Sequence, residues 1–545
     1  ILNYVTGVAI WPDQHGGRRV DRGVALISQS SNVAINLTMQ TRGLPVAHVV
    51  CIGNQAQTGL AEIAEALIAE PTVTALGLFV EGVGDAAAFA AMAERAHAAG
   101  KPVVALKSGR GDGARAAIAS HTAALSGEGA ASSAFLRACG VAEAETLPEM
   151  LALLTLLHLF GPLAGRRVAI MACSGGEAGL MADLAAPLPL ELPQPAPANA
   201  ERLTALLGPL VRVANPLDYH TFVWGDRARM QAVFAAMMGE EYDLTVLVMD
   251  LPHATRCDAT AWEPTIEALI GAQRETGARV ALLTTLPENL PEALAERLMD
   301  AGIAPLAGAS EALSAIAAAS PPVAEPGWCP LPALPDSECH ILSEAEAKHW
   351  LGGNGVPVPE GRSCTDLSEA AAAARRLGGR VALKGLGIAH KSEAGAVRLG
   401  LIAGDIAASD PIPGAQGYLV ERMVEGGAAE LLIGLRRDPV YGASLTLGMG
   451  GVEAELLEDT ATLILPACRA AMRDALLSLR LAPRLTGYRG RPAADIEAAL
   501  DIAERLAALI ATEPGLEEVE INPLILRRAG EGAVAADALI RWRTT

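Results

Sequence analysis

Aromatic side chains are scarce in this chain, with only six each of Phe, Trp and Tyr among 545 residues. Its cores must therefore be built from Ala, Leu, Val and Ile on helices and strands, and a hydrophobic content of 51% excludes a disordered chain. No Lys/Arg-rich run is present and the formal charge is −20, so the electrostatic footprint of a nucleic-acid binder is missing. A phosphate-bearing ligand would have to be held locally, by glycine loops, helix N-termini and single basic residues. The eight cysteines (Cys51, Cys139, Cys173, Cys257, Cys329, Cys339, Cys364 and Cys468) show no CxxC or Cys/His metal spacing. They read as reduced thiols of a cytoplasmic protein. No basic n-region with a cleavage site opens the chain, and no uninterrupted apolar stretch reaches about 18 residues, so no membrane is expected. The nearest such stretch, Met150 to Phe160, stops at Gly161-Pro162 and contains His158, which reads as a packed helix residue.

The length suits three or four domains on a prior of roughly 100 to 200 residues each. Short apolar runs at 24–30, 46–52, 75–80 and 102–106 alternate with helical stretches at 60–69 and 86–99. Buried strands alternating with helices argue for βαβ units and a parallel sheet, so 15–164 is expected to be one doubly wound α/β domain. The pattern restarts with a strand at 167–173, followed by Ser174-Gly175-Gly176 and further strands at 244–249, 280–284 and 305–307, giving a second such domain at 165–320. Residues 321–337 hold six prolines and read as a semi-rigid linker. Beyond them, 338–545 has an α+β texture, opened by a helix with a Ser343/Glu346 capping box.

Chemistry-bearing residues cluster at a few points. His121 lies in Ser120-His121-Thr122-Ala123-Ala124-Leu125-Ser126-Gly127, after the loop Lys107 to Arg115. A loop histidine among hydroxyls and small residues can attack phosphorus as neutral imidazole; equally, Ser120 or Thr122 could cap a helix and leave His121 an ordinary loop residue. Two serine/glycine turns, Ser28-Gln29-Ser30-Ser31 and Ser174-Gly175-Gly176, open helices whose unpaired N–H groups suit a phosphoryl group. Glu81 ends an apolar strand, either as a solvated carboxylate or as the group that orients the histidine. Lys384 ends the strand Val381 to Lys384 beside a glycine loop and can neutralise nucleotide phosphates, without the spacing of a Walker site. Glu520 and Asn522 stand two apart on a strand, so both point to one face and can share a Mg²⁺ ion that bridges phosphates.

The order of these motifs resembles the NDP-forming acyl-CoA synthetases (acetate-CoA ligase, ADP-forming) of the succinyl-CoA synthetase superfamily, from about residue 8 to 541. The segments that carry it are LISQSSNVA, FVEG, ASHTAALSG, CSGGEAGLMAD, NPLD, VALKGLGIAHKSEAGAVRLGL, GMGGVEAELLED, GYRGRP and EVEINPL. The resemblance implies two flavodoxin-like ligase domains followed by an ATP-grasp domain. It implies a phosphorylated His121 with Glu81 as its carboxylate partner, and phosphate held at Ser28, Ser30, Ser31, Ser174, Gly175 and Gly176. It implies nucleotide contacts from Lys384, Glu421 in the adenine-side hinge and Arg489, Mg²⁺ on Glu520 and Asn522, and His390 as a second histidine that ferries phosphate from ATP to the first. Ala123 and Ser31 stand where the family usually has glycine, and Glu393 and Ala396 where Asp and Gly are common.

The implied reaction joins a carboxylic acid and CoA at the expense of ATP, releasing ADP and phosphate through phosphohistidine and an acyl phosphate. Residues 1–14 look like the last part of a Rossmann-like CoA-binding domain, so CoA is expected to be bound by a separate domain or subunit. A homo-oligomer is expected. An ATP-grasp phosphotransfer protein or subunit that forms no CoA thioester, or a non-catalytic binding subunit, would carry many of the same motifs. The acid is not specified by them; Trp11 and Trp224 are candidates for an acyl pocket, with a core or surface role the favoured reading.

Overall fold

The computed structural model describes residues 1–109, 129–239, 241–253, 255–320, 328, 331, 334, 337–388, 395–451, 457 and 459–544. These form two compact units, Ile1–Gly129 with Leu136–Glu325, and Ala130–Phe135 with Pro326–Thr545.

The first unit holds two parallel sheets. In the first, the strands Val46–Cys51, Gly23–Ser28, Val73–Val80, Val103–Lys107 and Ala142–Glu143 lie side by side in that order. Numbered along the chain this is 2-1-3-4-5, the doubly wound flavodoxin-like order. The strands read as continuous apolar runs because helices cover both faces: all six residues of Gly23–Ser28 are buried. Residues 1–14 add an antiparallel edge, in which Leu2–Asn3 pairs with Val46–Cys51 on one side and Val8–Ala9 on the other.

The second sheet repeats the plan with Leu217–Asp218, Val168–Ala172, Leu244–Val248, Val280–Thr284 and Ile303–Ala307, again in the order 2-1-3-4-5. The buried amide of Asn215 staples its first strand, accepting from Ile170 N at 3.0 Å and donating to Val168 O at 2.8 Å. Between the sheets runs the helix Leu147–Phe160, capped by Thr146 and buried from Glu149 to Leu157. It packs on the first sheet and also against Ile303–Ala307 and the helix Ala309–Ala318, which is why its apolar run shows so little periodicity. His158 on this helix shares a 2.7 Å hydrogen bond with Thr74 Oγ1. Burial, reinforced by Arg22, lowers its pKa to about 4. Among the described residues, no helix is long and apolar enough to cross a membrane.

The second unit contains two antiparallel sheets. The larger runs Cys339–Ile341, Ala538–Arg543, Leu516–Leu526, Ala429–Asp438, Gly442–Met449 and Thr460–Ile464, and the helix Ile496–Thr512 buries its apolar face against it. The smaller runs Gly361–Cys364, Gly417–Arg422, Val381–Leu386 and Val397–Leu401, with the helix Leu367–Leu377 on one face. The Ser343/Glu346 capping box is present, at the start of the helix Glu344–Gly353.

Candidate functional site

In a doubly wound sheet, ligands meet the carboxyl ends of the strands where the winding reverses. In the first sheet that point lies between Gly23–Ser28 and Val73–Val80, so it brings together Ser28-Gln29-Ser30 and Glu81-Gly82. Ser28 Oγ accepts from Ser30 N at 3.1 Å and donates to Ser30 O at 2.7 Å, which turns the chain tightly into the helix Ser31–Thr38. Ser30 caps that helix through Val33 N, and Ser31 is exposed at its first turn. The residue that ties the two strand ends together is Gln29. Its Oε1 accepts from the backbone N–H groups of Glu81 and Gly82, and its Nε2 donates to Gly82 O at 3.0 Å. The Glu81 side chain is held beside this clamp with Oε2 buried and without a hydrogen-bond partner among the described residues. His121, the residue read as its partner, lies outside the described residues.

The equivalent point of the second sheet holds Ser174, Gly175 and Gly176. Ser174 caps the helix Gly175–Ala185 by accepting from Glu177 N at 3.3 Å, and both glycines are exposed. Carboxylates that were not singled out within the CSGGEAGLMAD and NPLD segments surround this helix start. A Cβ on Gly175 would come within 3.1 Å of Asp218 Oδ2. Burial, followed by the charge of Asp250, raises the pKa of Glu177 above the ordinary range for a glutamate, and burial together with Glu177 pushes the Cys173 thiol up to about 11. Asp250 is absorbed by Thr285 N and Oγ1, Leu286 N and Asn289 Nδ2. Asp218 accepts from His220 N at 2.9 Å and lies 3.5 Å from His220 Nε2. His220 has a φ of 57°, a strained value for a residue with a side chain, and its ring stacks on Phe222, which is 62% exposed. Trp224 packs edge-on against Trp262 on the second-sheet core. Trp11 packs on the core shared by the two sheets, with its Nε1 unpartnered among the described residues.

In the second unit, antiparallel pairing sets Glu421 opposite Ala382 and Leu419 opposite Lys384. The period of two therefore puts Lys384 and Glu421 on one face, while Val381, Leu383 and Val420 pack on the opposite face under the helix Leu367–Leu377. Lys384 Nζ reaches Glu344 Oε1 at 2.5 Å, Glu421 Oε2 at 3.2 Å and Ala536 O at 2.6 Å. Burial opposes that charge, yet Glu344 and Glu421 outweigh it and raise the pKa of Lys384 above the usual lysine value.

Glu520 and Asn522 are half-buried on one face of Leu516–Leu526, and Val519 and Ile521 are buried on the other. Asn522 Oδ1 accepts from Gly451 N at 3.0 Å. One carboxylate and one amide oxygen are hard oxygen donors of the kind that would suit Mg²⁺. Beside them is a cleft of about 280 Å³ lined by Glu430, Met449, Gly450, Gly451, Arg484 and Arg491. Arg489 is not among its lining residues. It sits at a φ of 49°, with its guanidinium 5.1 Å from the Tyr488 ring. Arg484 and Arg491 are thus the basic residues at this cleft; Arg491 belongs to the GYRGRP segment that drew attention to Arg489, and Arg484 precedes it. His390 lies outside the described residues.

A family profile described as an ATP-grasp domain matches residues 334–541, and one described as a succinyl-CoA ligase like flavodoxin domain matches residues 21–157. The trans-feruloyl-CoA synthase FCS1 of an unidentified prokaryote is 31% identical over 95% of this chain and 76% of that protein. The ADP-forming acetate–CoA ligase of Methanocaldococcus jannaschii is 26% identical over 95% of this chain and 78% of its own length. The ADP-forming 4-hydroxybutyrate–CoA ligase of Nitrosopumilus maritimus is 24% identical over 95% and 78%.

Proposed function

Because this chain belongs to the ADP-forming acyl-CoA synthetases, acid–CoA ligases with succinyl-CoA ligase-like and ATP-grasp domains, we propose that it transfers phosphate from ATP to an acid through His121. The γ-phosphoryl group passes from ATP to His390 and then to His121, releasing ADP. A carboxylate oxygen of the acid attacks the phosphorus of phosphohistidine, giving an acyl phosphate and restoring neutral His121. The CoA thiolate then attacks the acyl carbon and expels phosphate, so that acid, CoA and ATP become acyl-CoA, ADP and phosphate. Splitting the transfer keeps each step an in-line displacement.

The observation that carries this reading is Glu81 Oε2, buried with no partner among the described residues beside a clamp that fixes its backbone. A buried carboxylate oxygen calls for a donor, and an imidazole N–H supplies one while the carboxylate stabilises its protonated form. The N–H groups at the helix starts after Ser30 and Ser174 would hold the phosphoryl group. At the second start, burial and the charge of Asp250 raise the pKa of Glu177. Lys384, Arg484 and Arg491 would hold nucleotide phosphates. Glu520 and Asn522 would hold Mg²⁺, which when bound screens phosphate charge.

For the acid, the stacked His220–Phe222 pair and the Trp224–Trp262 pair gather aromatic surface at the carboxyl edge of the second sheet. Together with the kinship to a feruloyl-CoA synthase, they support a planar aryl or arylalkenyl acid. The test of the central claim is transfer of label from γ-labelled ATP to the protein. His121→Ala should confine acid-labile, base-stable label to His390 and abolish its transfer to the acid, and His390→Ala should abolish labelling from ATP yet leave His121 able to accept phosphate from an acyl phosphate. Undiminished acyl phosphate formation by the His121→Ala protein would sink the proposal.

A further inference from the structure

The helix Glu344–Gly353 starts at a capping box, so Glu344 occupies its first turn and Lys348 follows one turn later on the same face. On a surface such a pair contributes little. Here Glu344 and Lys348 are each 4% exposed and meet Lys384 and Glu421 in a buried quartet. Lys348 Nζ lies 2.5 Å from Glu421 Oε1, 2.8 Å from Glu344 Oε1 and 2.7 Å from Ala536 O. Lys384 Nζ takes the same three acceptors: Glu344, Glu421 and the Ala536 carbonyl. Two ammonium groups are thus superimposed on one set of acceptors, and the four side chains carry no net charge. Burial and the neighbouring Lys384 pull the pKa of Lys348 below the ordinary lysine range.

The duplication is what a structural ion pair does not need. One lysine would bridge the helix Glu344–Gly353 to the small sheet, and a second buried ammonium adds desolvation cost and repulsion. It becomes useful once one of the two ammonium groups has another task. Lys384 stands on the strand that leads into the glycine loop, and on the reading above it engages nucleotide phosphates. If it turns from the quartet to a phosphate, Glu344 and Glu421 keep one counter-charge only because Lys348 is there.

We propose that Lys348 is a positioning residue for the nucleotide, releasing Lys384 by holding Glu344 and Glu421 in its place. The inference rests on the assignment of Lys384 to nucleotide phosphates. With Lys348 present, departure of Lys384 takes the remaining set from neutral to −1. Without Lys348 the set starts at −1 and would fall to −2, so Lys384 stays locked to the carboxylates.

The test is binding of the Mg²⁺ complex of a β,γ-methylene ATP analogue to the full chain by calorimetry, beside kcat and KM for ATP. In Lys348→Met, Kd and KM for nucleotide should rise at least tenfold while KM for the acid is unchanged. Lys348→Arg, which keeps the charge, should stay within threefold of the parent. The double variant Glu344→Gln/Lys348→Met restores neutrality with Lys384 in place and should recover nucleotide affinity even though both side chains are altered. Parent-like binding by Lys348→Met overturns the inference. So does a double variant as weak as the single one, which would make Lys348 a packing residue. A parent chain that fails to bind the analogue overturns the assignment of Lys384 itself.

Discussion

Replacing Gln29 by alanine should unfasten the first sheet's switch point. The Gln29 side chain is 8% exposed and makes three hydrogen bonds to the Glu81-Gly82 backbone, two as acceptor and one as donor. Gly82 O keeps a second donor in Gln55 Nε2 at 3.1 Å, so the uncompensated loss falls on the two N–H groups. At about 1 kcal/mol for each net hydrogen bond, and more where a buried donor is left unsatisfied, the cost is about 3 kcal/mol. For a large domain each kcal/mol lowers the unfolding midpoint by about 2 °C, so the first unit should melt about 6 °C lower. Because the same clamp holds Glu81, labelling of His121 from an acyl phosphate should slow at least tenfold at temperatures where the variant is folded. Calorimetry and single-turnover labelling of the same preparation measure the two effects. An unchanged midpoint would show that Gln29 is not the clamp. A lowered midpoint with normal labelling would show that the position of Glu81 does not govern the histidine.

Three further outcomes are expected. The pKa of His158, depressed in the fold to about 4, makes its native form neutral, so this contribution is complete above about pH 6.5 and is lost as the pH falls towards 4; over that window it amounts to about 3 kcal/mol, and His158→Gln should flatten the stability–pH curve there. Arg484→Ala and Arg491→Ala should each weaken Mg-nucleotide binding, about tenfold at low salt, whereas Arg489→Ala should change it less than twofold; the reverse ranking would return the phosphate contact to Arg489. Phe222→Ala should raise KM for a hydroxycinnamate at least fivefold and leave KM for acetate unchanged, with equal effects on both acids removing Phe222 from the acyl site.

Much of the fold could be read along the chain because parallel strands covered on both faces must be apolar throughout. The helix Leu60–Ala69 and the strand Val280–Thr284 fall where their patterns put them. The strand Gly442–Met449 was not read from the sequence; its hydrogen bonds to Ala429–Asp438 and Thr460–Ile464 define it. At the candidate sites, Ser28, Ser30, Glu81, Ser174 and Lys384 announced themselves by standing at strand ends or helix starts, while Glu421 was named only through the family resemblance. Arg484 did not, because an arginine near a turn has no periodicity to betray which cleft it lines, and Arg491 stood in the GYRGRP segment without being singled out.

Chain order and residue type by themselves determined the repeated βα winding, the helix starts and the kind of chemistry, because these depend on local periodicity and on side-chain donors and charges. Tertiary structure alone decided which charges meet. The amide of Gln29 is an ordinary polar side chain until strand 73–80 is laid beside strand 23–28, and Glu344 with Lys348 is an ordinary helix pair until Lys384 and Glu421 are buried against it. Coulomb attraction and unsatisfied hydrogen bonds act over a few ångströms of space, and separations of 52 residues for Gln29 and Glu81 and 73 for Lys348 and Glu421 are closed only by folding.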